Sequence, residues 1–193
     1  MSKDDLTSDS SPSKKPGSGA IAVDADSLDR LIEGRHHDPH SILGPHLADH
    51  GVTIRVLRPM ATSVVVIDSD GTRTPLEHEY RGVWVGVLPS THVPDYRIDV
   101  AYGDSAPIPA DDPYRFLPTL GEIDLHLINE GRHEDLWTVL GSHVKSFPSQ
   151  MSDVVGTAFA VWAPNARGIQ VVGDFNGWDG TATPMRSLGA SGV

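Results

Sequence analysis

EGRHHDPHSILGPH, residues 33–46, recurs as EGRHEDLWTVLGSH at residues 130–143. At an offset of 97, Glu33, Gly34, Arg35, His36, Asp38, Leu43, Gly44 and His46 meet Glu130, Gly131, Arg132, His133, Asp135, Leu140, Gly141 and His143. That is eight identities in fourteen positions. The likeness continues at an offset of 105, where GVTIRVLRPMATSVVVI (51–67) lies over GTAFAVWAPNARGIQVV (156–172). Gly51, Val56, Pro59 and Ala61 there meet Gly156, Val161, Pro164 and Ala166. The closing Gly192-Val193 falls on Gly82-Val83 at an offset of 110. Self-similarity in fixed order at so long a period indicates two tandem copies of one domain rather than a solenoid.

Each copy opens with helical signals. SLDRLIEG spaces Leu28, Leu31 and Ile32 along one face, with Asp26 or Ser27 predicted as N-cap and Gly34 as the stop. A shorter helix follows, capped by Asp38 with Pro39 at its first position, and by Asp135 in the second copy. Strand patterns come next. Ile54 and Val56 alternate with Arg55 and Leu57, and YRIDVAY places Tyr96, Ile98, Val100 and Tyr102 on one face. Another strand is predicted to end at Val172, and Trp162, level with Leu57, is predicted inside a strand and in the core. Short strands parted by Gly, Pro and Asn turns predict a mainly β protein. The architecture is two tandem immunoglobulin-like β-sandwich modules with short helices between them, the second truncated. The boundaries are a disordered tail over 1–24, a first module over 25–118, a helical linker over 119–150 and an incomplete second module over 151–193. By the repeat, the second copy is expected to lack roughly 30 residues.

Composition narrows the function. The net charge is −11, which argues against nucleic acid as a partner. No apolar run approaches the roughly 20 residues of a membrane span. There is no cysteine, hence no disulfide framework or thiolate chemistry. The N-terminus has no secretory pattern, so a cytoplasmic protein is expected. Residues 1 to about 20 have too little apolar surface to offset their ordering entropy.

Four histidines in residues 33–46 raise the question of a metal. A transition-metal site needs three or four converging ligands, and the copies share only His36/His133 and His46/His143. A repeated pair at a helix–loop junction suits hydrogen bonds to local main chain, with metal binding and pH sensing as the competing readings. No metal or cofactor is expected. The acids Asp111, Asp112, Glu122 and Asp124 lie in turns or at a helix start, where nothing sets two carboxylates across a sugar bond. No catalytic residue is assigned.

VVGDFNGWDG, residues 171–180, carries Phe175 and Trp178 three apart in a turn. Those aromatics fit a plug for the end of the sandwich, and equally a surface on which a sugar ring stacks. Asn176 can both donate to and accept from sugar hydroxyls.

The stretch FAVWAPNARGIQVVGDFNGWDGTATPM resembles the family-48 carbohydrate-binding modules found ahead of the barrel in α-glucan-active enzymes. HHDPHSILGPH, RVLRPMATSVVV and DDPYRFLPTLGEIDLHLINEGRHEDLWTVLGSH look like the extra N-terminal module of bacterial glycogen branching enzymes. The resemblance covers residues 25–193. It implies the N-terminal part of a 1,4-α-glucan branching enzyme of glycogen biosynthesis. Such an enzyme cleaves an α-1,4 bond through a covalent glucosyl intermediate and transfers the segment to a 6-hydroxyl, using carboxylates of a barrel that none of these residues build. It also implies Trp178, Asn176 and Phe175 as substrate-binding residues, with α-glucan and the parent's own catalytic barrel as partners. A free-standing glucan-binding or regulatory module, or the N-terminal part of a debranching enzyme, is the alternative.

Overall fold

The structure, a computed structural model, describes residues 19–193. Residues 1–18 of the expected tail lie outside the described residues. Within the rest of that span, Ile21 is fastened. Its N–H donates to Thr53 Oγ1 at 3.1 Å, and its carbonyl accepts from the Arg55 guanidinium at 2.7 Å.

Helix α1 spans Ala25–Ile32 and buries Leu28 and Leu31. Its N-cap is Asp24, not Asp26 or Ser27, because the Asp24 carboxylate reaches the Ser27 N–H at 2.8 Å. Asp26 lies within the first turn and pairs with Arg30 instead. Helix α2, Glu122–Asn129, is its counterpart. Both end alike. Gly34 and Gly131 take φ of +67° and +66°, conformations that favour glycine. Arg35 N–H reaches Arg30 O at 2.8 Å, and Arg132 N–H reaches Leu127 O at 2.9 Å, so the same terminal carbonyls are satisfied in each copy.

One-turn 3₁₀ helices follow at Pro39–Ser41 and Leu136–Thr138. Asp38 and Asp135 occupy the cap positions, but neither carboxylate caps. Their carbonyls accept from the hydroxyls of Ser41 and Thr138, each at 2.7 Å.

The first copy is a sandwich of two antiparallel sheets. One has the order β1 (Gly44–Ala48), β2 (Gly51–Leu57), β6 (Val83–Leu88), β5 (Glu77–Tyr80). The other runs β4 (Arg73–Pro75), β3 (Ser63–Asp68), β7 (Tyr96–Ala101), β8 (Ile108–Ala110). Alternation fills the space between them with Val52, Ile54, Val56, Val64, Val66, Trp84, Tyr96, Ile98 and Val100. Tyr102 lies past the end of β7 and is exposed. Strand β2 is buried on both faces. On its outer side Leu57 packs with Leu28, Leu31, Leu43, Val83 and Tyr114. Arg55, 1% exposed, is neutralised there by Glu79 through contacts of 2.6 and 2.8 Å.

The second copy holds a hairpin of β9 (Gly141–Phe147) and β10 (Val154–Ala160), in register from Gly141↔Ala160 to Val154↔Phe147. Beyond it the chain is irregular, with one bridge between Gln170 and Pro184. The strand predicted to end at Val172 does not form. Its counterpart β3 is a strand because β4 and β7 pair with it, and residues 167–172 find no such ladder among the described residues. Trp162 is likewise outside a strand and 57% exposed, so it is not a core residue here. Past Leu120, Val154 is the one buried hydrophobic side chain among the described residues. The protein is therefore mainly β, with its apolar core concentrated in the first sandwich.

Candidate functional site

The turn after Val172 is built by main-chain bonds that converge on Gly173. Its carbonyl accepts from Asn176 N–H at 3.1 Å and Trp178 N–H at 2.9 Å, closing a 3₁₀ turn over Asp174–Asn176. Gly177 takes φ +62°, and so does Trp178. The left-handed region costs a side-chain-bearing residue about 1–2 kcal/mol. Such strain persists only where the surroundings hold it, and it concentrates at functional positions.

Three side chains hold this turn. Asn176 Oδ1 accepts from Gly173 N–H at 2.9 Å, while its amide donates to Val171 O at 2.9 Å and Thr183 Oγ1 at 3.2 Å. Both N–H donors of Asn176 are thus committed inside the turn. Thr183 adds a 2.6 Å bond to Val171 O. Asp174 Oδ1 accepts from the Trp178 indole N–H at 2.9 Å and fixes the ring. Asp174 escaped the sequence reading, where the spacing of an acid four residues before a tryptophan was the available signal.

Phe175 and Trp178 are each 68% exposed, so neither plugs a core. The Phe175 ring lies over Gly173, where a Cβ would come within 2.6 Å of it. The turn therefore presents two aromatic rings to solvent on a braced backbone. A flat, exposed indole with its polar N–H already satisfied offers its face to an apolar C–H surface.

The acids considered in sequence have structural employment. Asp112, fully buried, accepts from the Tyr96 hydroxyl at 2.6 Å and Tyr114 N–H at 3.0 Å, and burial raises its carboxyl above the ordinary range. Asp111 pairs with Arg97 at 3.2 Å. Asp124 accepts from Gly121 N–H at 3.0 Å and meets His133 at 3.3 Å. Glu122 lies in the first turn of α2.

The histidines also bond locally. His46 and His143 donate from Nε2 to the carbonyls of Leu43 and Leu140, at 3.2 and 2.9 Å. His36 Nδ1 accepts from Asp38 N–H at 3.2 Å, and its ring stacks on His37. No group of three His, Asp or Glu side chains is placed to hold a metal among the described residues.

Two cavities flank the second copy. One of about 730 Å³ lies between the copies and is bordered by His40, Tyr114, Val154 and Pro184, with Phe175 on its wall. Another, about 570 Å³, is bordered by Leu140, Gly141, Phe159, Trp162 and Met185. Among the described residues, no helix is long and apolar enough to cross a membrane.

Residues 24–114 match the alpha-1,4-glucan branching enzyme GlgB, N-terminal domain. Residues 139–193 match carbohydrate-binding module 48, the isoamylase N-terminal domain. The chain is 58% identical over 166 residues to the 1,4-alpha-glucan branching enzyme GlgB of Thermobifida fusca, covering 86% of this chain and 22% of that protein. It is also 58% identical over 174 residues to the enzyme of the same name from Kitasatospora aureofaciens, covering 90% of this chain and 22% of the relative. The chain thus spans about a fifth of the length of these relatives. A solved pullulanase from Paenibacillus barengoltzii aligns with 44% of this chain and 14% of its own, at 23% identity and TM-score 0.35, too slight a likeness to add to the fold.

Proposed function

The chain belongs with the N-terminal region of the alpha-1,4-glucan branching enzymes GlgB, whose N-terminal domain and module 48 it carries in order, and on that premise we propose that it binds α-glucan and positions it for a branching reaction. In this reading the protein serves glycogen biosynthesis in the cytoplasm. Cleavage of an α-1,4 bond and transfer to a 6-hydroxyl fall to a catalytic barrel, which is the chain's second partner besides glucan.

The observation that supports the reading is the exposed Trp178 indole, held at a left-handed backbone position by the turn around it. Trp178 stacks on one glucose ring and Phe175 adds apolar contact beside it. Asn176 serves the site by bracing the turn, since both of its N–H donors are spent there. One or two stacked rings give weak binding, near millimolar, or about 4 kcal/mol.

The test is electrophoresis through gels with and without glycogen, joined to calorimetry with maltoheptaose. Wild type is retarded and binds maltoheptaose. Trp178→Ala loses most of both and melts within a degree or two of wild type, because the ring is largely in solvent. Equal retardation of wild type and variant would remove Trp178 from the site.

A further inference from the structure

Gly44 and Gly141 occupy the same place in the repeat, and both open a strand with left-handed φ, +85° and +97°. Their surroundings differ. A Cβ on Gly44 would lie 2.5 Å from the Tyr114 carbonyl oxygen and 3.3 Å from Tyr114 Cβ. A Cβ on Gly141 would meet nothing within 4 Å. In the first copy the Asp112-Pro113-Tyr114 turn thus sits directly on the glycine main chain, and the Tyr114 ring closes a cluster with Leu28, Leu31, Leu43, Leu57 and Val83.

The repeat carries those five positions to Leu125, Ile128, Leu140, Trp162 and Val193. None of the five is buried. Leu140, Gly141 and Trp162 instead border the cavity of about 570 Å³. The first copy has this space filled and the second has it open, on the same framework of helix stop, 3₁₀ turn and strand start.

We propose that this cavity is a binding site for a polypeptide turn of the Asp-Pro-Tyr class. The turn seats its main chain on Gly141 and its aromatic ring between Leu140 and Trp162. The source assigned to it rests on the family reading above. The relatives carry most of their length outside the matched region, and the turn belongs to that polypeptide. The chemistry favours such an occupant. Asp112 accepts from Tyr114 N–H and shapes the turn, while proline fixes one φ, so little freedom remains to be lost on docking. An aromatic ring of this kind buries about 150–250 Å². Glycine at 141 serves twice, for its positive φ and for close approach of another main chain.

The probe is the peptide ADDPYRFLP, residues 110–118 of this chain, with both ends blocked. It is titrated into the full chain while tryptophan fluorescence and amide NMR shifts are followed. Saturable binding is expected, with the shifts centred on Gly141, Ser142 and the Trp162 indole. A peptide with alanine in place of its tyrosine, and a Trp162→Ala protein, each weaken binding about tenfold or more. Trp162 is largely exposed, so its variant keeps the fold and the measurement stays interpretable. The proposal is overturned if the peptide at about 5 mM leaves these signals unchanged, if both substitutions bind like the originals, or if maltoheptaose displaces the peptide, which would make the cavity a sugar site. Glucan binding through Trp178 is measured on the same samples. Its failure would sink the glucan reading and leave the peptide result standing.

Discussion

The Tyr114 hydroxyl donates a 3.1 Å hydrogen bond to the carbonyl of Pro184, so a side chain of the first sandwich holds main chain of the second copy. The bond is one of several across this seam. Ser187 N–H reaches His37 O at 2.8 Å, and Gln150 N–H reaches the Asp95 carboxylate at 2.5 Å. Gly168 lies against Gly34, where a Cβ would come within 2.3 Å of the Gly34 carbonyl oxygen. The second copy has little core of its own, so these contacts orient its aromatic turn on the first sandwich. Behind them stands Asp112, which fixes Tyr96 and Tyr114 together.

Tyr114→Phe isolates the hydroxyl. The ring keeps its place in the cluster and its edge contact with His40, while the Pro184 carbonyl loses its partner. A buried carbonyl left unpaired costs about 1 kcal/mol or somewhat more. Urea unfolding should show that loss, and hydrogen exchange at Ser187 should quicken. Unchanged stability together with unchanged exchange would mean the seam does not depend on this bond.

The internal repeat made the fold legible, because chemistry was copied with the residues. Both helix stops, both 3₁₀ turns and both histidine-to-carbonyl bonds recur as the aligned sequences require. The alternating pattern of β7 also places Tyr96, Ile98 and Val100 in the core. What sequence could not supply was partnership at a distance. Arg55 reads as an outward-facing residue of an alternating strand. It is buried because Glu79 and the Ile21 carbonyl, 24 and 34 residues away, meet it there. Trp162 reads as core because Leu57 is, yet burial at that position depends on a covering turn. At the candidate site the aromatics were legible as a motif. The bond from Trp178 to Asp174 was not, since it depends on a left-handed φ that local propensity disfavours for tryptophan.

Acid should loosen the seam through His40. Burial lowers its pKa from the ordinary 6.5 to about 4, helped by Arg186 and His46 and opposed by Asp38. Burial and the neighbouring His37 and Arg30 lower His36 as well, with Asp38 again opposing. A histidine held neutral in the folded state is protonated first in the unfolded chain. Its contribution is therefore present above pH 6.5 and is lost as pH falls from 6.5 towards about 4. Melting temperatures read between about pH 7 and 5 avoid most carboxylate titration. They should fall with pH in wild type and fall less steeply in His40→Gln. A parallel slope in the variant would remove His40 as the cause.

Asp174 should matter to glucan through Trp178 alone. Its carboxylate accepts from the indole N–H at 2.9 Å, and both side chains are exposed, so the bond adds little to global stability. What it supplies is orientation. Trp178 is held at φ +62°, and without a partner its ring is free to turn away from the stacking pose. Ordering a freed side chain on binding costs about 0.5–1.5 kcal/mol, equivalent to a loss of roughly two- to tenfold in affinity. Asp174→Ala should therefore weaken maltoheptaose binding by about that factor with an unchanged melting temperature. Asp174→Asn retains a carbonyl acceptor at the same place and should recover most of the loss. The double variant Asp174→Ala, Trp178→Ala should bind no worse than Trp178→Ala, because an anchor has no effect once its ring is gone. Calorimetry on the four proteins decides the matter. A further drop in the double variant would show that the carboxylate meets the sugar directly, and an Asp174→Ala protein that binds like wild type would show that the indole needs no anchor.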